Sequence, residues 1–385
     1  MNQTSANKKI AFANALRGIA SLSVLLAHYV VMFSIIKGAV QGFPPVPGNT
    51  YPRWLVQLAM VAPDFEIGAF GVALFFLVSG FVIPNSIASL PDSFRGRLGF
   101  VVARIFRIWP TYLVGFCVSM CALCIAAVHS NALAYMPYWH ITLENVLIHA
   151  TLFRDWFNTP MLDGIVWTLE IEIKFYLFAL LFWRGIANGR AYVFAAIAVA
   201  ALLAIPYKPI EMVGMEAPAN FLFALRFILF MFIGVAFNYH LRGLLNLKKM
   251  FFYAAAMLLI FIYCSIEESA ESKMTISCCA AFLAFLGLYL FKSGWSGGRV
   301  FTFLADISYP MYVSHAVFGY VGMRWMIEIG FPALIALSVQ TAVTISLSWS
   351  IHRIIEAPTH RLGKSLSKIV AGKPKQSSVA RDAMI

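Results

Sequence analysis

Residues 67–88 read Ile-Gly-Ala-Phe-Gly-Val-Ala-Leu-Phe-Phe-Leu-Val-Ser-Gly-Phe-Val-Ile-Pro-Asn-Ser-Ile-Ala, without a single charge. A helix rising 1.5 Å per residue crosses a hydrocarbon core of about 30 Å in about 20 residues, so this stretch is long and apolar enough to span a bilayer. Comparable runs recur on both sides of it, separated by short charged segments. Hydropathy places spans near residues 12–36, 67–88, 108–128, 164–184, 190–206, 221–239, 251–265, 275–291, 301–326 and 332–353, the seventh being the shortest and weakest. The segment from Trp139 to Phe153 is amphipathic and suits an interfacial or re-entrant position. The expected fold is an all-α integral membrane bundle of about ten transmembrane helices.

Composition points the same way. Of 385 residues, 61% are hydrophobic and 12% charged, and the mean hydropathy is +0.79, far from a soluble domain. The formal charge of +12 belongs to Lys and Arg residues spread through loops, not gathered on a basic module, so nucleic acid is not an expected partner and membrane lipid is. With the N-terminus inside, the outer loops keep only Lys37, Arg53, Arg154, Lys208 and Lys273, beside acids such as Asp64, Glu66, Asp155 and Asp163. The other loop Lys and Arg fall inside, which predicts that both termini are cytoplasmic. Residues 1–357 form the expected membrane domain, and the polar, Lys-rich stretch 358–385 is expected to be a disordered cytoplasmic tail. Lys8 and Lys9 precede an apolar run that carries Arg17 and His28 and has no small-residue cleavage site, so it is expected to stay as the first span. The six cysteines lie in apolar runs, where Cys acts as a small packing residue, and no metal site is expected from them.

A charge at the membrane centre is costly unless it faces a cavity or finds a partner, so each one marks a functional candidate. Arg17 and His28 are eleven residues apart, close to one helical face and separated by a rise of about 16 Å. A phosphate-bearing donor could set its charged head at Arg17 while a thin arm reaches His28. Glu170 and Lys174 stand four apart and predict an intrahelical ion pair, which leaves Glu172 on another face without a local partner. Rise along each span puts Glu172 and His315 each about 18 Å from the inner side, near the depth of His28. Ser79 and Gly80 fall near the same level, where small residues let membrane helices approach closely; a serine nucleophile is the alternative. Arg104 and Arg107 are neighbours on one face, and two guanidinium forks suit a phosphate clamp.

At these residues the chain resembles the acyltransferase 3 family of polytopic membrane acyltransferases. The resemblance runs through Arg17, ten residues and His28; Phe75-Phe76-x-x-Ser79-Gly80-Phe81; Arg104-x-x-Arg107; Trp167-Thr168-Leu169 leading to Glu172 and Phe175-Tyr176; Ser308-Tyr309 to His315; and Glu356-x-Pro358. The family more often has Ser, Val, Glu, Glu, Gln where this chain has Glu170, Ile171, Glu172, Ile173 and Lys174, which leaves Glu172 as the shared acid.

The resemblance implies transfer of an acyl group, usually acetyl, from acetyl-CoA to a hydroxyl of a glycan or similar acceptor at a bacterial cytoplasmic membrane. No cofactor is implied beyond this donor substrate. Many relatives carry a fused extracytoplasmic esterase-like domain, and none is expected within these 385 residues. In the implied mechanism Arg17, Arg104 and Arg107 hold the donor phosphates and His28 acts as general base. Glu172 or His315 orients that base, and Trp167 and Tyr309 support the site. An acyl-enzyme on His28 or Ser79 is the variant. The rival class is a transporter, because intramembrane His, Glu and Arg also mark solute pathways.

Overall fold

The computed structural model describes residues 11–35, 51–129, 142–157, 159, 161–205, 217–267, 272–292 and 294–372. Among these there is no strand. In chain order the helices are α1 (Ala11–Ile35), α2 (Arg53–Met60), α3 (Ile67–Ala88), α4 (Phe94–His129), α5 (Leu143–Thr151), α6 (Val166–Leu181), α7 (Trp183–Ala187) and α8 (Tyr192–Ala204). They continue with α9 (Ala217–Leu241), α10 (Leu247–Glu267), α11 (Ser272–Phe291), α12 (Gly298–Asp306), α13 (Ser308–Ser314), α14 (Ala316–Glu328), α15 (Ala333–Ile351) and α16 (Ala357–Ala371).

Seven stretches are long and apolar enough to cross a bilayer: α1, α3, α4, α9, α10, α11 and the run from Ala333 to Ala371, in which a π-helical turn at His352–Glu356 joins α15 to α16. The chain is thus a multi-pass integral membrane protein. Three of the expected spans come out differently. α6 has 16 residues and α8 has 13, so their lengths are about 24 and 20 Å, short of the core thickness. The stretch expected as a ninth helix is divided into α12, α13 and α14, interrupted at Ile307 and bent at His315. Pro310 removes a backbone donor from the first turn of α13, and the Ser308 hydroxyl donates back to the Ala305 carbonyl, so side-chain bonding competes with the helical ladder there.

The bundle is organised around α3, which packs on α1, α9 and α11. Its glycines explain the closeness. A Cβ on Gly71 would lie 2.7 Å from the Ala20 carbonyl oxygen of α1, and one on Gly80 would collide with the Met231 carbonyl of α9. In lipid, where apolar burial gives no net drive between helices, such backbone approach supplies the packing. Gly80 therefore takes the packing role expected for the Ser79-Gly80 pair, while Ser79 faces a cavity.

Two expectations are corrected. Glu170 and Lys174 do not pair with each other: Glu170 accepts a two-pronged bond from Arg154 (3.0 and 2.9 Å), and Lys174 pairs with Asp155. The fork of a guanidinium matches a carboxylate better than an ammonium does, and the loop before α6 delivers Arg154 and Asp155 together. Second, the disorder expected from residue 358 does not hold for residues 358–371, which continue as α16. Gly363, Ser367 and Ala371 form a buried stripe against α4, where a Cβ on Gly363 would lie 2.5 Å from Phe106 Cβ. A seam of small residues leaves no apolar run for hydropathy to register. Lys8, Lys9, Lys37, Lys208, residues 139–141 and residues 373–385 lie outside the described residues.

Candidate active site

α1 carries Arg17 in a regular α-helical stretch and His28 in a π-helical one, Ala27–Met32. A π turn inserts an extra residue and swings side chains off the regular face, and such turns gather at functional sites. Here it turns His28 toward α14. The His28 Nδ1 lies 2.7 Å from the hydroxyl of Tyr320, whose ring stacks on Phe33 with centroids 6.1 Å apart. Nε2 of His28 has no hydrogen-bond partner among the described residues, and the residue lines a cavity.

His315 stands edge-on to His28, ring centroids 4.7 Å apart. Its Nδ1 faces the carbonyls of Met311 (3.1 Å) and Tyr312 (2.8 Å), so Nδ1 carries the proton and the buried Nε2 presents an unshared lone pair. Its backbone carbonyl accepts from Tyr29, whose hydroxyl also meets Thr344 at 2.7 Å. This ties α1, the α13–α14 bend and α15 into one unit around the two imidazoles.

Two cavities adjoin. The first is lined by Arg17, Ser79, Arg107, Glu172 and Tyr309. The second, the larger of the two, is lined by His28, Trp167 and Phe227, with Glu66 and Lys273 among its polar residues. Val72 and Tyr312 line both, and so form the wall they share. Tyr312 is held there by Thr168 Oγ1 at 2.6 Å.

In the first cavity, Glu172 Oε1 accepts from Ser79 Oγ at 3.2 Å and from the Tyr176 hydroxyl. Arg17 donates to Ser308 Oγ at 3.0 Å, and Tyr309 donates to the Ile108 carbonyl at 2.8 Å. Arg107 has no carboxylate or hydrogen-bond partner among the described residues. Arg104 is turned aside: it donates to Ser86 Oγ at 3.1 Å and lies over the rings of Phe100 and Tyr176.

The sequence-derived candidates thus divide. Arg17, Ser79, Arg107, Glu172 and Tyr309 meet around one cavity; His28 and Trp167 line the other, with His315 behind His28. Neither Glu172 nor His315 hydrogen-bonds to His28; Tyr320 does. Sequence reasoning missed Tyr320, and no spacing signal marks it, because its contact depends on the π turn in α1 and the bend at His315.

Residues 10–353 match the acyltransferase 3 family, described as an acyltransferase domain. Among curated proteins the chain is similar to nodulation protein 10 of Rhizobium leguminosarum bv. viciae, with 29% identity over 192 residues, 46% of this chain. It spans about half of that relative's length, 47%. No solved structure matches. With the matched region covering the helices that build the two cavities, the chain belongs to the acyltransferase 3 family.

Proposed function

We propose that the protein transfers an acyl group, acetyl in the simplest case, from acyl-CoA supplied on the cytoplasmic side to a hydroxyl of a glycan or lipid-linked acceptor reached from the other side of a bacterial inner membrane. The observation that carries this reading is the adjacency of the two cavities: one bears the cations Arg17 and Arg107, the other the open nitrogen of His28, with a single wall of Val72 and Tyr312 between them. Guanidinium groups suit the donor phosphates, and Arg104 lends its charge to the same region. The reading takes α6, α8 and the divided α12–α14 run as further crossings, about ten in all, with both termini cytoplasmic.

The chemistry is a proton transfer coupled to acyl transfer. The acceptor hydroxyl gives its proton to His28 Nε2 as its oxygen attacks the thioester carbonyl carbon. The C–S bond then breaks, an ester forms, and the imidazolium returns the proton to the departing thiolate. Tyr320 at Nδ1 fixes the ring for this role, and the reaction needs no group beyond donor and acceptor. Glu172, bonded to Ser79 and Tyr176, shapes the donor cavity beside Arg17 and Arg107.

Membranes carrying the wild-type chain and radiolabelled acetyl-CoA should label a surface glycan or lipid-linked saccharide, as read by mass spectrometry. His28→Ala should abolish labelling while the purified variant still binds CoA. Retained transfer would remove the general-base role, and a wild type that fails to bind CoA would remove the donor assignment and favour a transporter.

A further inference from the structure

α16 gathers positive charge where α4 already holds Arg104 and Arg107. Its buried stripe of Gly363, Ser367 and Ala371 fixes its rotation, since a Cβ on Gly99 of α4 would lie 2.8 Å from the Ser367 carbonyl oxygen. On one side of that stripe come Leu362 and Ile369, exposed apolar residues suited to lipid. On the other, at i, i+4 and i+8, come His360, Lys364 and Lys368. His360 is within electrostatic range of Arg17, Arg104, Arg107 and Lys364, and Lys364 of Arg104, Arg107 and Lys368.

The carboxylates nearby are engaged elsewhere. Glu356 pairs with His352 at 2.7 Å, Glu172 accepts from Ser79 and Tyr176, and Glu356, Glu172 and Asp306 all lie within electrostatic range of Arg17. Among the described residues none of Arg107, His360, Lys364 and Lys368 has a carboxylate partner. Like charges held this close by helix packing repel one another, and a polyanion that enters between them relieves the repulsion. Arg107 also lines the first cavity, so the cluster runs continuously from α16 into that cavity.

We infer that the His360–Lys364–Lys368 flank of α16 is the binding site for a terminal phosphate monoester, the ribose 3′-phosphate of the CoA donor, with Arg107 and Arg17 left to take the phosphates nearer the thioester. This rests on the acyl-CoA reading above and extends it to a helix outside the matched family region, residues 10–353. An anionic lipid headgroup offers the same phosphate chemistry from another source. The site discriminates between CoA and dephospho-CoA, which differ only in that phosphate.

The test uses the full chain in nanodiscs of phosphatidylcholine alone or with phosphatidylglycerol, measuring affinities for CoA and dephospho-CoA by titration. The wild type should bind CoA about tenfold more tightly than dephospho-CoA, and Lys364→Gln/Lys368→Gln should bring the two within about twofold, leaving the dephospho-CoA affinity and melting temperature unchanged. An unchanged ratio in the variant overturns the site while the donor reading stands. So does a variant whose only change is loss of a phosphatidylglycerol effect, which assigns the flank to lipid. A wild type that binds neither nucleotide overturns both.

Discussion

The phenol of Tyr320 stands 2.7 Å from Nδ1 of His28, although 292 residues separate them in the chain. The bond leaves Nε2 as the nitrogen on the side of the larger cavity, and in the proposed mechanism it sets which face of the ring an incoming hydroxyl meets. The partner is neutral, so it orients the imidazole without the charge compensation a carboxylate would supply.

Tyr320→Phe keeps the ring stacked beside Phe33 and removes only the hydroxyl. A lost hydrogen bond of about 1–3 kcal/mol predicts a fall in transfer rate of about five- to a hundredfold, with the donor KM little changed because Tyr320 lines neither cavity. Initial rates across acetyl-CoA concentrations check this; a rise in KM with kcat intact would assign Tyr320 to binding instead.

Ser79 opens to the first cavity and His28 to the second, and Ser79 Oγ donates to Glu172 at 3.2 Å. A serine nucleophile needs a base within hydrogen-bond reach, which here would have to be that carboxylate. The expected outcome for Ser79→Ala is a loss of about ten- to a hundredfold, the cost of one hydrogen bond to a carboxylate. A loss of about a thousandfold, with acetyl trapped on the wild-type protein but not on the variant in acceptor-free mass spectra, would instead argue for an acyl-enzyme on this serine.

Much of the framework was legible because hydropathy reads one helix at a time. The uninterrupted run at 67–88 needed nothing from elsewhere, and the common depth of His28 and His315 followed from rise per residue. What could not be read depends on a second helix. One continuous path along α1 was expected from Arg17 to His28, yet Tyr312 of α13 and Val72 of α3 stand between two cavities. The Glu170–Lys174 spacing was right for a pair, but a loop brought better partners to each. α16 escaped notice because glycine, serine and alanine, not an apolar stripe, make its seam.

The Arg154–Glu170 pair predicts stability, not rate. Its side chains are 11% and 2% exposed, and removing one partner from a buried ion pair costs about 3–5 kcal/mol because the other charge is left uncompensated. Glu170→Gln should lower the melting temperature in detergent by several degrees. Replacing both residues with Met should recover most of that loss, since well-packed apolar side chains carry no desolvation cost. If the double variant melts no higher than the single one, the pair contributes through geometry that apolar packing does not replace.

In the proposed mechanism the Val72–Tyr312 wall sets how the thioester meets the base. Both residues are buried, and the Tyr312 hydroxyl is held by Thr168 Oγ1 at 2.6 Å and the Ile165 carbonyl at 3.3 Å, so the wall is braced on its α13 side and more yielding at Val72. On that proposal a donor anchored by Arg17 and Arg107 brings its carbonyl past this point to reach His28, and the space at Val72 limits what accompanies it. Val72→Ala removes bulk and should shift product from acetyl toward propionyl and butyryl esters when the three donors compete at equal concentration. Val72→Phe adds bulk and should slow transfer of every donor while CoA binding is kept, because no phosphate ligand is altered. Full activity in Val72→Phe would mean that the acyl group travels by a route that avoids this wall, and the passage would then have to be sought along the α1–α14 face, where His28 meets Tyr320.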